Sequence, residues 1–375
     1  MRVLISTNIP SPYRWLFWNQ LSEKCDLSVV FESRRAKDRN EAWYPDTPAN
    51  FNGIFLNGLQ YGQESTASFG LVKHFLSRKY DVKVLGGYSS LSDMLTIMVL
   101  KLCKIKYILD IDGAIEHEES GFKRILKGFF IRGAELYLSP SACSDQYLLK
   151  YGVRESQLRR FRFTSLLEED IFSAPSTEDE KRTLREQLHM TEEKIVLSVG
   201  SFIHRKGFDV LLESFSGMPE TVGCYLVGGV PTPEYLSMVE ERSLKNIHFI
   251  DHTSKEELSK YYRAADCLAF PTRYDIWGLV VNEALSRGLP VITTDRCVSG
   301  LELIQQGRNG FLIPSEDPAA LREKILYILQ NDALRAEMSE NALKTARAYT
   351  IENMVEEYLS VFREFTGKHG IAANR

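Results

Sequence analysis

Residues 194–215 read KIVLSVGSFIHRKGFDVLLESF and residues 266–294 read DCLAFPTRYDIWGLVVNEALSRGLPVITT. Each begins as a short apolar run, passes through a loop and continues as an amphipathic stretch; the second ends on another apolar run. That is the form of a βαβ unit, because a parallel strand buried on both faces reads as continuous apolar residues and its crossover is usually a helix. The same alternation runs along the chain, with strand-like segments at 2–7, 26–31, 80–86, 105–110 and 134–139, then 194–200, 222–228, 247–250, 266–270, 290–294 and 310–313. It lapses in the acidic, Pro-containing segment 168–180, EEDIFSAPSTEDE, which reads as a linker. The fold class expected is α/β, with two Rossmann-like domains at 1–172 and 173–350. From residue 317 to about 366 the pattern is helical, with Thr350 as a cap, and the last stretch carries a stripe of Met354, Tyr358, Val361 and Phe362 that must be buried.

A length of 375 residues accommodates two such domains, and 44% hydrophobic with 26% charged residues excludes disordered and collagen-like chains. The net charge of −4 gives no overall attraction to nucleic acid, and no nucleic-acid partner is expected. The charge is uneven, however. Residues 1–172 hold 23 Lys+Arg against 20 Asp+Glu, whereas residues 173–375 hold 23 against 30. The six cysteines form no C-x-x-C pair and read as buried thiols of a cytoplasmic protein. The first apolar run, Val3 to Ile5, is too short for a signal peptide, and the uncharged stretch Met94 to Leu100 is far short of a membrane span.

Several chemistries lack their residues. There is no G-x-G-x-x-G for a nicotinamide cofactor, no G-x-x-x-x-G-K-[ST] for a P-loop, and neither G-x-S-x-G nor H-E-x-x-H. The seven histidines are dispersed, and no metal site is expected. Two segments do carry chemistry. Arg205 and Lys206 lie at a loop-to-helix transition, where fixed cations and helix amides favour a diphosphate; in isolation the pair reads rather as a solvated loop cap, and the diphosphate reading needs the second segment to support it. In the other segment Asp275 lies in a loop, Gly278 opens a helix, and Glu283 follows about one turn later. A carboxylate, the exposed amides of Gly278, Leu279 and Val280, and a second carboxylate could read sugar, diphosphate and ribose in turn.

The run Asp275-Ile276-Trp277-Gly278-Leu279-Val280-Val281-Asn282-Glu283-Ala284, continuing through Gly288-Leu289-Pro290-Val291, resembles the E-x7-E motif of the retaining GT-B glycosyltransferases of family 4. Lys206-Gly207 and the block Gly307 to Pro314, followed by Asp317-Pro318, are similar to that family as well. The opening MRVLISTNIPSPYR and the stretch Leu109 to Leu149 look like bacterial capsule or lipopolysaccharide transferases. The resemblance implies two Rossmann-like domains facing a central cleft, with the C-terminal helix 351–375 packing back on the N-terminal domain. It implies that Glu283 holds the donor ribose, Asp275 the transferred sugar, and Arg205 with Lys206 the diphosphate, Lys206 and Asp275 acting in catalysis. The donor would be a nucleoside-diphosphate sugar, uridine diphosphate being the expected nucleotide, and no metal or other cofactor would be required. Two departures stand out: Asp275 replaces the usual Glu, and Ser201 follows Gly200 where the family often has Gly-Arg.

The acceptor would be a glycan or lipid-linked saccharide met by the N-terminal domain. There the family often places a His, and Asp112 of Asp110-Ile111-Asp112-Gly113 is the nearest match; it could orient an acceptor hydroxyl or cap the following turn. Residues 121–133 carry an apolar stripe of Phe122, Ile125, Leu126, Phe129 and Phe130 among Lys123, Arg124, Lys127 and Arg132. Such a helix can lie on the anionic inner face of the plasma membrane or pack into the core with a solvated basic face. The expected activity is that of a retaining hexosyltransferase of cell-surface polysaccharide synthesis; a GT-B epimerase and a non-catalytic sugar-nucleotide-binding or membrane-docking protein remain alternatives.

Overall fold

The computed structural model describes residues 1–35, 48–60, 66–116 and 119–369; residues 370–375 of the expected terminal segment lie outside them. The chain divides into two compact units, one of residues 1–165 with the segment from Thr350 onward, the other Leu166–Tyr349. Residues 166–172, which the expected boundary at 172 places in the first domain, belong to unit 2. Phe172 explains this: its N–H donates to the Ser286 carbonyl at 3.0 Å, and its ring lies under the guanidinium groups of Arg263 and Arg287.

Unit 1 contains β1 (Arg2–Thr7), β2 (Asp26–Phe31), β3 (Asn52–Phe55), a small antiparallel pair of β4 (Leu59–Gln60) and β5 (Thr66–Ala67), then β6 (Val82–Leu85), β7 (Ile108–Asp110), β8 (Leu136–Ser139) and β9 (Leu158–Arg160). Its seven-stranded sheet runs β3-β2-β1-β6-β7-β8-β9, and every pairing is parallel. Unit 2 contains β10 (Lys194–Val199), β11 (Val222–Val227), β12 (Ile247–Ile250), β13 (Cys267–Phe270), β14 (Val291–Thr294) and β15 (Gly310–Ile313), ordered β12-β11-β10-β13-β14-β15 and again all parallel. Such strands are buried on both faces, and Ile195, Val196, Leu197, Leu268 and Ile292 are fully inaccessible.

The order in each sheet fixes where a ligand can enter. From β10 the chain winds outward to β11 and β12, and then returns to the other side of β10 with β13. Loops leaving the C-terminal ends of β10 and β13 therefore diverge, and a crevice opens between them. The segments carrying Arg205, Lys206 and Asp275 are these two loops.

The helical tail is three helices, Pro318–Leu329, Asp332–Ala346 and Ile351–Lys368, each begun by a side chain that accepts an N–H: Asp317, Asn331 and Thr350. The last helix buries Met354, Tyr358, Val361 and Phe362 in unit 1, where the Tyr358 ring meets Phe17 at 4.7 Å and Phe161 at 4.9 Å between centroids. Among the described residues no helix is long and apolar enough to cross a membrane. The expectation of six buried thiols is corrected: Cys224, Cys267 and Cys297 are buried, Cys25 and Cys143 half-buried, and Cys103 is exposed.

Unit 2 is tied at the opposite end of its sheet by Asp266, immediately before β13. Its carboxylate receives Lys181 at 2.9 Å, Arg185 at 2.8 Å and the Ile195 N–H at 2.8 Å, with Arg335 at 3.6 Å. Burial favours the neutral acid there, but the cations and the backbone donor outweigh it and hold the carboxyl below its ordinary value. Asp266→Asn would leave these cations enclosed without their counter-charge. It should destabilise the protein by about 3–5 kcal/mol, read as a lower denaturant midpoint at unchanged slope.

Candidate functional site

After β10 the chain passes Gly200 and forms a single turn at His204–Lys206, which ends on Gly207 before the helix Phe208–Ser214. Gly207 has φ 70°, and a Cβ there would sit 2.1 Å from the Pro271 carbonyl oxygen. Only glycine admits so close an approach between the two loops. The contact is stitched by hydrogen bonds: the Arg205 carbonyl accepts the Arg273 N–H at 2.9 Å and lies 3.0 Å from the Thr272 hydroxyl.

This brings the expected residues together. Lys206 Nζ donates to Asp275 Oδ2 at 2.6 Å, and Arg205 Nη1 donates to the same oxygen at 3.0 Å and to the Tyr274 carbonyl at 2.8 Å. Lys206 and Asp275 are largely enclosed, whereas Arg205 retains 43% side-chain exposure. Two cations around one carboxylate leave an excess positive charge, and Arg205 is the more accessible donor for an anion. The Asp275 backbone is pinned at both ends, donating to the Arg296 carbonyl at 3.0 Å and accepting from the Val298 N–H at 3.1 Å.

Gly278 follows with φ 93° and opens the helix Leu279–Ser286 without a side-chain cap. A Cβ on Gly278 would meet Cys297 Sγ at 2.9 Å. The first N–H groups of a helix have no intrahelical acceptor, so Leu279 and Val280 present donors beside the same loop. Trp277, buried at 2% exposure, anchors the helix start by donating from its indole to Asn282 Oδ1 at 2.8 Å. Glu283 is half-buried, and its Oε2 accepts the Tyr262 hydroxyl at 2.7 Å. Burial pushes its carboxyl above the ordinary value against the pull of Tyr262 and Arg287.

The sequence reading missed the residue that holds these loops in place. Arg273 donates through both Nη atoms to Asp209, at 2.7 and 2.6 Å, and to the His204 carbonyl at 2.7 Å, and it also pairs with Glu316. It therefore clamps the turn bearing Arg205 and Lys206 to the helix behind it. The only signal was its place two residues before Asp275. Tyr262 was missed for a similar reason, since nothing in its segment marks it as the partner of Glu283.

In unit 1, Asp112 pairs with Arg14, which also lies 3.6 Å from Asp110 and donates to the Tyr358 hydroxyl at 3.1 Å; Tyr358 in turn donates to Asp110 at 2.8 Å. Arg14 is buried at 5% exposure, and three phenyl rings surround its guanidinium, that of Phe163 at 4.7 Å. The Asp112 side chain keeps 42% exposure, so one carboxylate reaches solvent while its partner is fixed in the core.

Comparison with known proteins bears on the segment that carries the ion cluster. Residues 179–345 match the family model of the Glycosyl transferases group 1. The D-inositol 3-phosphate glycosyltransferase of Corynebacterium efficiens is 32% identical over 203 residues, covering 51% of this chain and 47% of that protein. The chain thus spans about half the length of the relatives it matches. Anabaena HepE, solved in complex with UDP, superposes with a TM-score of 0.79 at 15% identity, over 97% of this chain and 100% of that one. WaaG, a glycosyltransferase involved in lipopolysaccharide biosynthesis, does so with a TM-score of 0.71 at 17% identity, over 96% and 99%. The fold is therefore the GT-B class of two Rossmann-like, parallel-sheet units.

The Asp110 group yields a pH test. Burial pushes its carboxyl up to about 6, against the opposing charge of Arg14. An acid whose folded value is raised stabilises the fold while protonated and loses that contribution as pH rises from its unfolded value of about 4 through 6. The melting temperature of Asp110→Asn minus that of wild type should therefore become more positive between pH 4 and pH 7. A constant difference would refute the assignment.

Proposed function

We propose that this protein is a retaining hexosyltransferase, moving a hexosyl or N-acetylhexosaminyl unit from a nucleoside-diphosphate sugar to a glycan or lipid-linked saccharide in cell-surface polysaccharide synthesis. The observation that carries the reading is the cluster of Arg205, Lys206 and Asp275 beside the uncapped helix start at Gly278, inside the segment that matches the group 1 transferases. The UDP held by HepE and the pathway of WaaG support uridine diphosphate as the nucleotide and a cell-surface product. The resemblance of the first half to capsule and lipopolysaccharide transferases points the same way. The reaction belongs on the cytoplasmic side, where nucleotide sugars are made.

In this reading the diphosphate lies against Arg205, Lys206 and the amides of Gly278, Leu279 and Val280. As the anomeric carbon–oxygen bond breaks, negative charge grows on the departing phosphate, and these fixed donors stabilise it without reorganising. The acceptor oxygen bonds to the anomeric carbon on the face the phosphate leaves, and the hydroxyl proton passes to the leaving phosphate oxygen, so the configuration is retained. Asp275 accepts hydroxyls of the transferred sugar. Being one methylene shorter than Glu, it holds a sugar closer to the two cations. Glu283 accepts the ribose hydroxyls, with Oε2 steadied by Tyr262. Asp112 orients the acceptor hydroxyl by accepting its hydrogen bond.

Lys206→Ala and Glu283→Ala should each lower donor affinity or turnover by at least tenfold, about 1.4 kcal/mol. A panel of nucleoside-diphosphate sugars, screened first by ligand-detected binding and then for transfer, checks this. Near-wild-type transfer by both variants would sink the site. Binding without transfer to any saccharide acceptor would instead favour a non-catalytic binder, and donor conversion without acceptor an epimerase.

The same cations are proposed to do the work of a divalent ion. Transfer should therefore persist in excess chelator, and loss of turnover restored by added Mg²⁺ would overturn that part of the mechanism.

A further inference from the structure

The helix Gly121–Ile131 is packed with its apolar stripe outward. Phe122, Ile125, Leu126 and Phe129 fall on one face at about 100° per residue, and they are exposed at 76%, 69%, 45% and 45%. The side turned into unit 1 holds Gly128, Phe130 and Ile131. Phe130 thus leaves the expected stripe for the core. Lys127, read from sequence as part of a solvated basic face, also turns inward: it pairs with Glu119 at 2.6 Å and lies 5.1 and 5.6 Å from the rings of Tyr147 and Tyr151. The core-helix alternative is therefore corrected, because a helix packed for the core would hide these four side chains.

A neighbouring helix, Leu91–Leu102, extends the surface. Leu91, Met98 and Leu102 share one face and are exposed at 53%, 43% and 83%. Lys101 joins the two helices, donating to the Phe129 carbonyl while its Nζ lies 4.0 Å from the Phe129 ring. The rim is cationic. Lys123 and Arg124 form no ion pair among the described residues, and Lys104 is exposed nearby. The two helices contain one acid, Asp93, which is buried as the capping partner of Ser90. Glu116 and Glu119 are already paired with Lys150 and Lys127.

We propose that the outward faces of Leu91–Leu102 and Gly121–Ile131 form one docking surface for an anionic lipid bilayer. Phe122, Ile125, Phe129 and Leu102 would enter the acyl boundary while Lys123, Arg124 and Lys104 meet headgroup phosphates. The charge selects this occupant: a second copy would set Lys123 and Arg124 against their own kind, whereas an anionic surface neutralises them. The inference goes beyond the transfer reaction, and it is tested without donor or acceptor, so its failure is separable from failure of that reading.

The test is co-sedimentation of the full chain with vesicles of phosphatidylglycerol and phosphatidylcholine in equal parts, against pure phosphatidylcholine. Wild type should pellet with the anionic vesicles and be released by about 0.5 M salt. Phe122→Ser with Leu102→Ser, and separately Lys123→Glu with Arg124→Glu, should each weaken binding by ~tenfold or more. Because these side chains are exposed, the melting temperature should be unchanged. Equal binding to neutral vesicles, wild-type binding by both double variants, or a concentration-dependent dimer abolished by the apolar pair would overturn the proposal.

Discussion

The carbonyl of Arg205 is the point on which the candidate site depends. It accepts from the Arg273 N–H and the Thr272 hydroxyl, and Gly207 brings the two loops to within a distance that no side chain would permit. These contacts convert a topological crevice into a chemical one. The order of the sheet delivers the loops after β10 and β13 to neighbouring positions, but it does not bring side chains from 69 and 70 residues apart onto one carboxylate oxygen. Arg273 completes the fixation from behind, spanning Asp209, His204 and Glu316. Such preorganisation matters most for charged groups, whose interaction falls steeply when water or motion intervenes.

Much of this fold was legible in the sequence because parallel strands are apolar on both faces. The runs in β1, β2, β10 and β11 stand out from their surroundings, and every expected segment holds an observed strand. The edges of the unit 1 sheet were not legible, whereas β12 and β15 at the edges of the unit 2 sheet were. β3 contains Asn52 and Gly53, and β9 reads Leu158-Arg159-Arg160; each is half-solvated and carries no apolar run. Site residues divide in the same way. Arg205, Lys206, Asp275 and Glu283 could be found because their spacing follows a motif tied to two strand ends. Arg273, Tyr262 and Arg14 could not, because each acts through a partner 64, 21 or 98 residues away.

The helix Gly121–Ile131 shows the limit of periodicity as evidence. A stripe at helical spacing establishes that one face differs from the other, but not whether the apolar face turns to the core or to a surface. Here Lys127 finds Glu119 and two tyrosine rings inside unit 1, and small Gly128 lets the helix approach Tyr151. A paired lysine with aromatic neighbours can be enclosed, so the helix is free to turn its phenylalanines outward.

Net charge proved a poor guide to local charge for a related reason. Unit 1, whose residues are on balance basic, has carboxyls near the C-terminal end of β2. Glu32 and Asp93 lie buried there with Ser90, which donates to Glu32 at 3.0 Å. Burial, reinforced by Asp93, pushes Glu32 up to about 8, and burial raises Asp93 to about 6, so near neutral pH Glu32 keeps its proton and the pair carries less than its formal charge. Unit 2 inverts the arrangement: acidic overall, it places two cations where its strands diverge. Because exposed charges are largely screened beyond about 8–10 Å at ordinary ionic strength, the groups at the strand ends, and not the sum over a domain, decide which unit can hold an anion. By that criterion the loops after β10 and β13, with Arg205 and Lys206, suit the phosphate-binding role proposed for them, and Lys123 and Arg124 of unit 1 lie exposed on an outer helix.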